Sequence, residues 1–165
     1  MRKFVIKRVI NEHPIEISKL KLKGHIDMIL FAEIDSIPVC LIIDIKSIGS
    51  YPYKKKFGRS YNREQDPSIH QELQLATYAL AVEKDFGVSD SQMFLVYYNK
   101  DNSKFKVLPV KRNFMNQAME YWMTLNSYIS KDLPKIDNIN SPIKSWECNY
   151  CQYKDKCTED HKQGV

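Results

Sequence analysis

Asp44 and Lys46 close the most apolar run in the chain, Val39 to Ile45. That run reads as a strand, and residues two apart in a strand share a face, so the carboxylate and the ammonium point the same way. A buried strand seldom spends two charges on one face unless they pair or do chemistry. Asp27 sits in a second apolar stretch, Gly24 to Leu30. If the two stretches pair as neighbouring strands, Asp27 and Asp44 converge, and a divalent cation would offset their repulsion. Oxygen ligands, with the backbone carbonyl of Ile45 as a third, suit Mg²⁺ or Mn²⁺. Such a cation polarises a phosphoryl oxygen and lowers the pKa of bound water, which is what phosphodiester hydrolysis needs. Lys46 would orient that water or stabilise charge in the transition state. An isolated D-x-K also occurs as a plain ion pair. What sets this one apart is its place, after an aspartate-bearing strand and before a helix carrying His70, Gln74 and Tyr78 at four-residue spacing.

The elements that must hold these residues follow from hydrophobic period and turn signals. Phe4 to Ile10 reads as a strand broken by His13-Pro14, and Ile15 to Leu22 as a second. Asp35-Ser36 reads as a hairpin turn, and Pro38 to Ile45 as a central strand covered on both faces. Ser47 to Gln65 reads as a loop. Asp66 and Pro67 open a helix from about Ser68 to Phe86 with Ile69, Leu73, Ala76 and Leu80 as its apolar stripe, stopped by Gly87. A hairpin follows, Gln92 to Tyr98 and Phe105 to Val110 about an Asp101-Asn102 turn. Asn113 then caps a helix bearing Met115, Met119, Trp122, Leu125 and Ile129. The expected class is α/β, with one mixed central sheet flanked by helices. Residues 1–135 form the core, and 136–165 a linker with a cysteine-rich tail.

The 165 residues suit one domain, and an apolar content of 43% is enough for a single core. No run of eighteen apolar residues is present, so no membrane partner is expected. The early charges of the N-terminus do not fit a signal peptide, and the expected location is the cytoplasm. The net charge of +5 decides little; its distribution is more telling. Lys54, Lys55, Lys56, Arg59, Tyr61 and Arg63 interleave cations with rings directly after the D-x-K strand. That composition suits single-stranded or frayed DNA, the cations tracking phosphate and the rings stacking on bases; a solvated surface loop has the same composition.

Gly24-x-x-Asp27, Asp44-x-Lys46 and Gln74-x3-Tyr78 occur in order. Together they resemble the PD-(D/E)xK nuclease superfamily, specifically its RecB-type branch, which includes the CRISPR-adaptation exonucleases. The resemblance implies a restriction-endonuclease-like core. It also implies Asp27 and Asp44 as metal ligands, Lys46 as the catalytic lysine, and Gln74 and Tyr78 as a helix motif that contacts DNA and supports the site. The activity implied is Mg²⁺- or Mn²⁺-dependent exonuclease trimming of DNA ends, in CRISPR adaptation or in recombination and repair, with protein partners in an integration or repair complex. A catalytically weak DNA-binding subunit and a dimeric nicking endonuclease are the alternatives. Many RecB-type nucleases add a metal-binding histidine on a helix before the first strand. His13 and His25 do not match it, so a leaner metal shell, or one completed by a partner, is expected.

Three of the four cysteines crowd the C-terminus as Cys148-x2-Cys151-x5-Cys157. Three thiolates at this spacing can clasp a metal. With His161 the pattern suits Zn²⁺. The resemblance implies instead a 4Fe–4S cluster with an upstream cysteine as fourth ligand, and Cys40 is the one other cysteine, readable equally as a core thiol.

Overall fold

Asp35 and Ser36 turn the chain with φ of 51° and 70°. Two successive left-handed residues match the twist of the strands they join, as in two-residue hairpins. The turn links β2 (Leu22–Ile34) to β3 (Ile37–Ile48). The structure, a computed structural model, describes residues 3–58, 69–129 and 149–156. Two compact units divide the chain, residues 1–126 and 127–165.

In the first unit, β1 (Phe4–Ile17), β2, β3, β4 (Ser91–Asn99) and β5 (Phe105–Val110) form one sheet in the order β1-β2-β3-β4-β5. Neighbours are antiparallel except β3 and β4, which run parallel. A parallel pair needs a crossover, and α2 (Ile69–Phe86) lies in that connection. The mixed sheet expected from the sequence is present. The break expected at His13-Pro14 is not: β1 continues through both residues, with Pro14 opposite His25. As an edge strand, β1 has one side unpaired, so a residue without an N–H is tolerated there.

The expected loop after the D-x-K strand also needs correction. Ser50–Phe57 is a helix, α1. Its N-cap, Gly49, has no side chain to bond the first turn, and Asp101 of the β4–β5 turn takes that role, its Oδ2 accepting the Ser50 N–H at 2.6 Å. A cap supplied from so far along the chain leaves no local signal.

The sheet buries one face. Cys40, Ile42 and Asp44 of β3 and Met93, Leu95 and Tyr97 of β4 pack toward α2, whose Leu75, Ala76, Ala79 and Val82 are fully buried. The stripe on α2 is rotated from the expected one: Ile69 is exposed, and Leu73 and Leu80 are half-buried. The helix is covered on a second side by α3 (Phe114–Ser127), where the Trp122 indole N–H donates to Thr77 Oγ1 at 2.8 Å. The small Ala76, Ala79 and Ala81 let sheet and helix approach closely. Double coverage of β3 is not observed among the described residues. On its other face Ile45 is exposed, as are Tyr98, Phe105 and Val107 of the strands beyond it.

In the second unit, Tyr150 and Tyr153 are exposed, and the Lys154 N–H donates to the Cys151 carbonyl at 3.2 Å. Cys151 is an exposed free thiol. Cys148, Cys157 and His161 lie outside the described residues, as do Asp66, Pro67 and residues 130–148. No helix among the described residues is long and apolar enough to cross a membrane.

Candidate active site

The β2–β3 ladder runs from Ile34↔Ile37 to Met28↔Ile43 and then ends. Continued by one step, its register would set Asp27 opposite Asp44. There the Asp27 side chain replaces the ladder, its Oδ2 accepting the Ile45 N–H at 2.6 Å. The hairpin register thus brings the two carboxylates together, and a backbone donor fixes one of them.

Asp44 is buried, 3% exposed, beneath α2. Burial pushes its carboxyl above the usual carboxylate range; the Lys46 ammonium opposes this and the charge of Asp27 adds to it. Lys46 Nζ lies 2.8 Å from Asp44 Oδ2. That ammonium is the one partner of this buried oxygen among the described residues. A carboxylate oxygen carries more than one lone pair, so a buried one with a single ammonium beside it has room for a further ligand. A cation held by Asp44 and Asp27 would take that place, and the all-oxygen donor set fits a hard divalent ion. No group of three or more His, Cys, Asp and Glu side chains that could hold a metal comes together among the described residues.

Lys46 also donates to Gln74 Oε1 at 2.9 Å, and the same Gln74 amide donates through Nε2 to Tyr78 OH at 2.8 Å. Carboxylate, ammonium, amide and phenol therefore form one continuous chain from strand to helix. Tyr78 is buried, and burial and the charges of Asp44 and Asp27 raise its phenol's pKa against the Gln74 hydrogen bond. The phenol stays neutral and can hold the amide in one orientation.

Gly24 has a role that its place in the G-x-x-D pattern does not reveal. A Cβ there would lie 3.2 Å from Tyr78 Cε1. The glycine lets β2 approach the tyrosine that fixes Gln74. Two further residues escaped the sequence reading. Tyr97, next to Lys46 in the β3–β4 register, hydrogen-bonds through its hydroxyl to Gln71 Oε1. Gln71 precedes Gln74 by three on α2, a spacing that could have signalled it.

Lys54, Lys55 and Lys56 form the last turn of α1, where cations complement the helix dipole. Phe57 packs edge-on against Tyr97 with centroids 5.3 Å apart, and Lys56 Nζ lies 4.7 Å from the centre of that ring. The basic end of α1 is thus anchored beside the Lys46 register. Arg59, Tyr61 and Arg63 lie outside the described residues. His25 is an exposed residue of β2, and the His13 ring stacks obliquely on Phe86. Cys40 is buried in the core, and burial, with some help from Glu83, pushes its thiol up to about 11.

The profile of the PD-(D/E)XK nuclease superfamily matches residues 3–158, nearly the whole chain, and the chain belongs to that superfamily. Nucleases of this superfamily usually use Mg²⁺ or Mn²⁺. A comparison with curated proteins gives no match. Among solved structures, one titled "Crystal structure of SSO0001" is 18% identical with a TM-score of 0.41; the alignment covers 94% of this chain and 60% of that one. The chain therefore spans about three-fifths of that protein's length.

Proposed function

We propose that this PD-(D/E)XK nuclease is a Mg²⁺- or Mn²⁺-dependent exonuclease that trims single-stranded or frayed DNA ends, in CRISPR adaptation or in recombination and repair. The observation that carries the reading is the buried Asp44 carboxylate, ion-paired with Lys46 Nζ at 2.8 Å and set beside the Asp27 carboxylate.

Asp27, Asp44 and the Ile45 carbonyl would hold the cation, which when bound polarises the phosphoryl oxygen and lowers the pKa of water. Lys46, held between Asp44 and Gln74, presents a fixed positive charge to the scissile phosphate. Gln74 and Tyr78 restrict the ammonium to one position, so it need not reorganise during the reaction. The lysines of α1 track the phosphates of the bound strand. For the cysteine-rich tail the proposed group is a 4Fe–4S cluster, with Zn²⁺ as the alternative; iron and zinc analysis of the purified protein distinguishes them.

A second reading, a DNA-binding subunit with weak catalysis, is favoured by one fact: only two carboxylates converge on the site among the described residues. End-labelled linear and closed circular single strands, incubated with Mg²⁺ or Mn²⁺, separate the readings. Loss of label from linear strands with circles intact is the expected result. Cutting of circles would indicate an endonuclease, and salt-sensitive binding without cleavage would support the second reading.

A further inference from the structure

Beside the site, a cleft of about 360 Å³ opens between α2 and α3. Among the described residues it is lined by His70, Gln71, Leu73, Gln74, Tyr121 and Trp122. One wall is aromatic: Tyr121 and Trp122 meet edge-to-face with centroids 5.2 Å apart. The indole is held in place by its hydrogen bond to Thr77 Oγ1 at 2.8 Å. The other wall is polar. Gln74 is spent on Lys46 and Tyr78, and Gln71 gives its Oε1 to the Tyr97 hydroxyl, which leaves the Gln71 amide N–H groups and the exposed His70 imidazole to meet a ligand.

The ligand that fits an aromatic wall facing a few polar groups is itself a flat ring with hydrogen-bonding edges. Gln74 belongs both to this cleft and to the Lys46 hydrogen bond, so the occupant lies next to the group that faces the scissile phosphate. We propose that the cleft between α2 and α3 is a nucleobase subsite, which receives one unpaired base of the substrate strand beside the phosphodiester to be cut. The inference rests on the nuclease reading and deepens it. A base stacked in the duplex cannot enter the cleft. The subsite therefore selects strands that are single or already frayed, through shape and stacking and with little sequence preference.

The test is a single-turnover cleavage series on a linear single strand carrying one abasic position, moved one nucleotide at a time past the cut, with wild type and with Tyr121→Ala and His70→Ala. Tyr121 and His70 are exposed, and a melting curve of each variant checks its fold. At one position next to the cut, loss of the base should slow wild type by about tenfold, the scale of one stacking contact. In Tyr121→Ala the same abasic strand should react no more slowly than the intact one, because the two losses are one loss. 2-Aminopurine at that position should be quenched by wild type and not by Tyr121→Ala. A flat abasic series with normal cleavage overturns the subsite and leaves the nuclease reading standing, as does an equal penalty in wild type and both variants. If intact DNA is neither bound nor cut, both fall together.

Discussion

Gln74 accepts a hydrogen bond from Lys46 Nζ at 2.9 Å, joining the central strand of the sheet to the helix that crosses it. The bond makes Gln74 a positioning residue for the lysine rather than a reacting group. Lys46→Ala should lower kcat by about 10²- to 10³-fold, as expected for loss of a fixed charge at the transition state. Gln74→Ala should cost about tenfold to a hundredfold, as for loss of a supporting hydrogen bond. Rates at saturating substrate measure both. If Gln74 instead only binds DNA, its variant will raise KM and spare kcat.

The burial of Asp44 beside a second carboxylate, Asp27, predicts coupling between metal and stability. Mg²⁺ or Mn²⁺ should raise the melting temperature of wild type, because a ligand at a hundred times its Kd adds about 2.7 kcal/mol. Asp44→Asn and Asp27→Asn should lose most of that gain. An equal rise in all three proteins would locate the ion elsewhere.

Gly24 faces Tyr78 across a gap that a methyl group would nearly close. Gly24→Ala should destabilise by about 1–3 kcal/mol, the usual cost of overpacking. It should also lower kcat, since displacing Tyr78 releases Gln74. Denaturant unfolding and turnover, measured together, check the link. Unchanged turnover at reduced stability would show that Tyr78 can yield without disturbing Lys46.

Glu83 gives a pH dependence away from the site. The Arg112 guanidinium holds its carboxyl below the ordinary value; burial acts against this, and the Ser91 N–H and hydroxyl assist the guanidinium. Both guanidinium nitrogens bond the carboxylate, at 2.6 and 2.8 Å. A depressed folded pKa means stability that is present above the unfolded value, about 4.3, and lost as pH falls through the folded one. Glu83→Gln should therefore melt lower than wild type at pH 7, by about 1 kcal/mol given the half-exposed Arg112. The two melting curves should converge as pH falls through the depressed folded pKa of Glu83. A constant difference across that range would exclude the ion pair as the cause.

The lysines of α1 predict a salt effect. Replacing any one of Lys54, Lys55 and Lys56 by alanine should weaken DNA binding for all sequences alike and reduce the slope of log K against log salt by about one. An unchanged slope would mean that the basic turn does not meet phosphate.

Local sequence was enough for β3, β4 and β5, because alternation and β-branching act over a few residues. Phe105 to Val110 and the Asp35-Ser36 turn are found where those signals put them. It was enough as well to nominate Asp27, Asp44 and Lys46, since a charge inside an apolar run is conspicuous in one dimension, whereas Gln74 and Tyr78 rested on helical spacing and the family resemblance. It could not give α1, capped by Asp101 from another turn, nor the continuity of β1 through Pro14, which depends on β1 being an edge. It could not give the rotated stripe of α2, which follows from packing against both the sheet and α3. The hairpin register set Asp27 beside Asp44, and the crossover laid Gln74 on Lys46. Those pairings join residues far apart in the chain, and long-range contacts are chosen by how whole surfaces pack rather than by any local pattern.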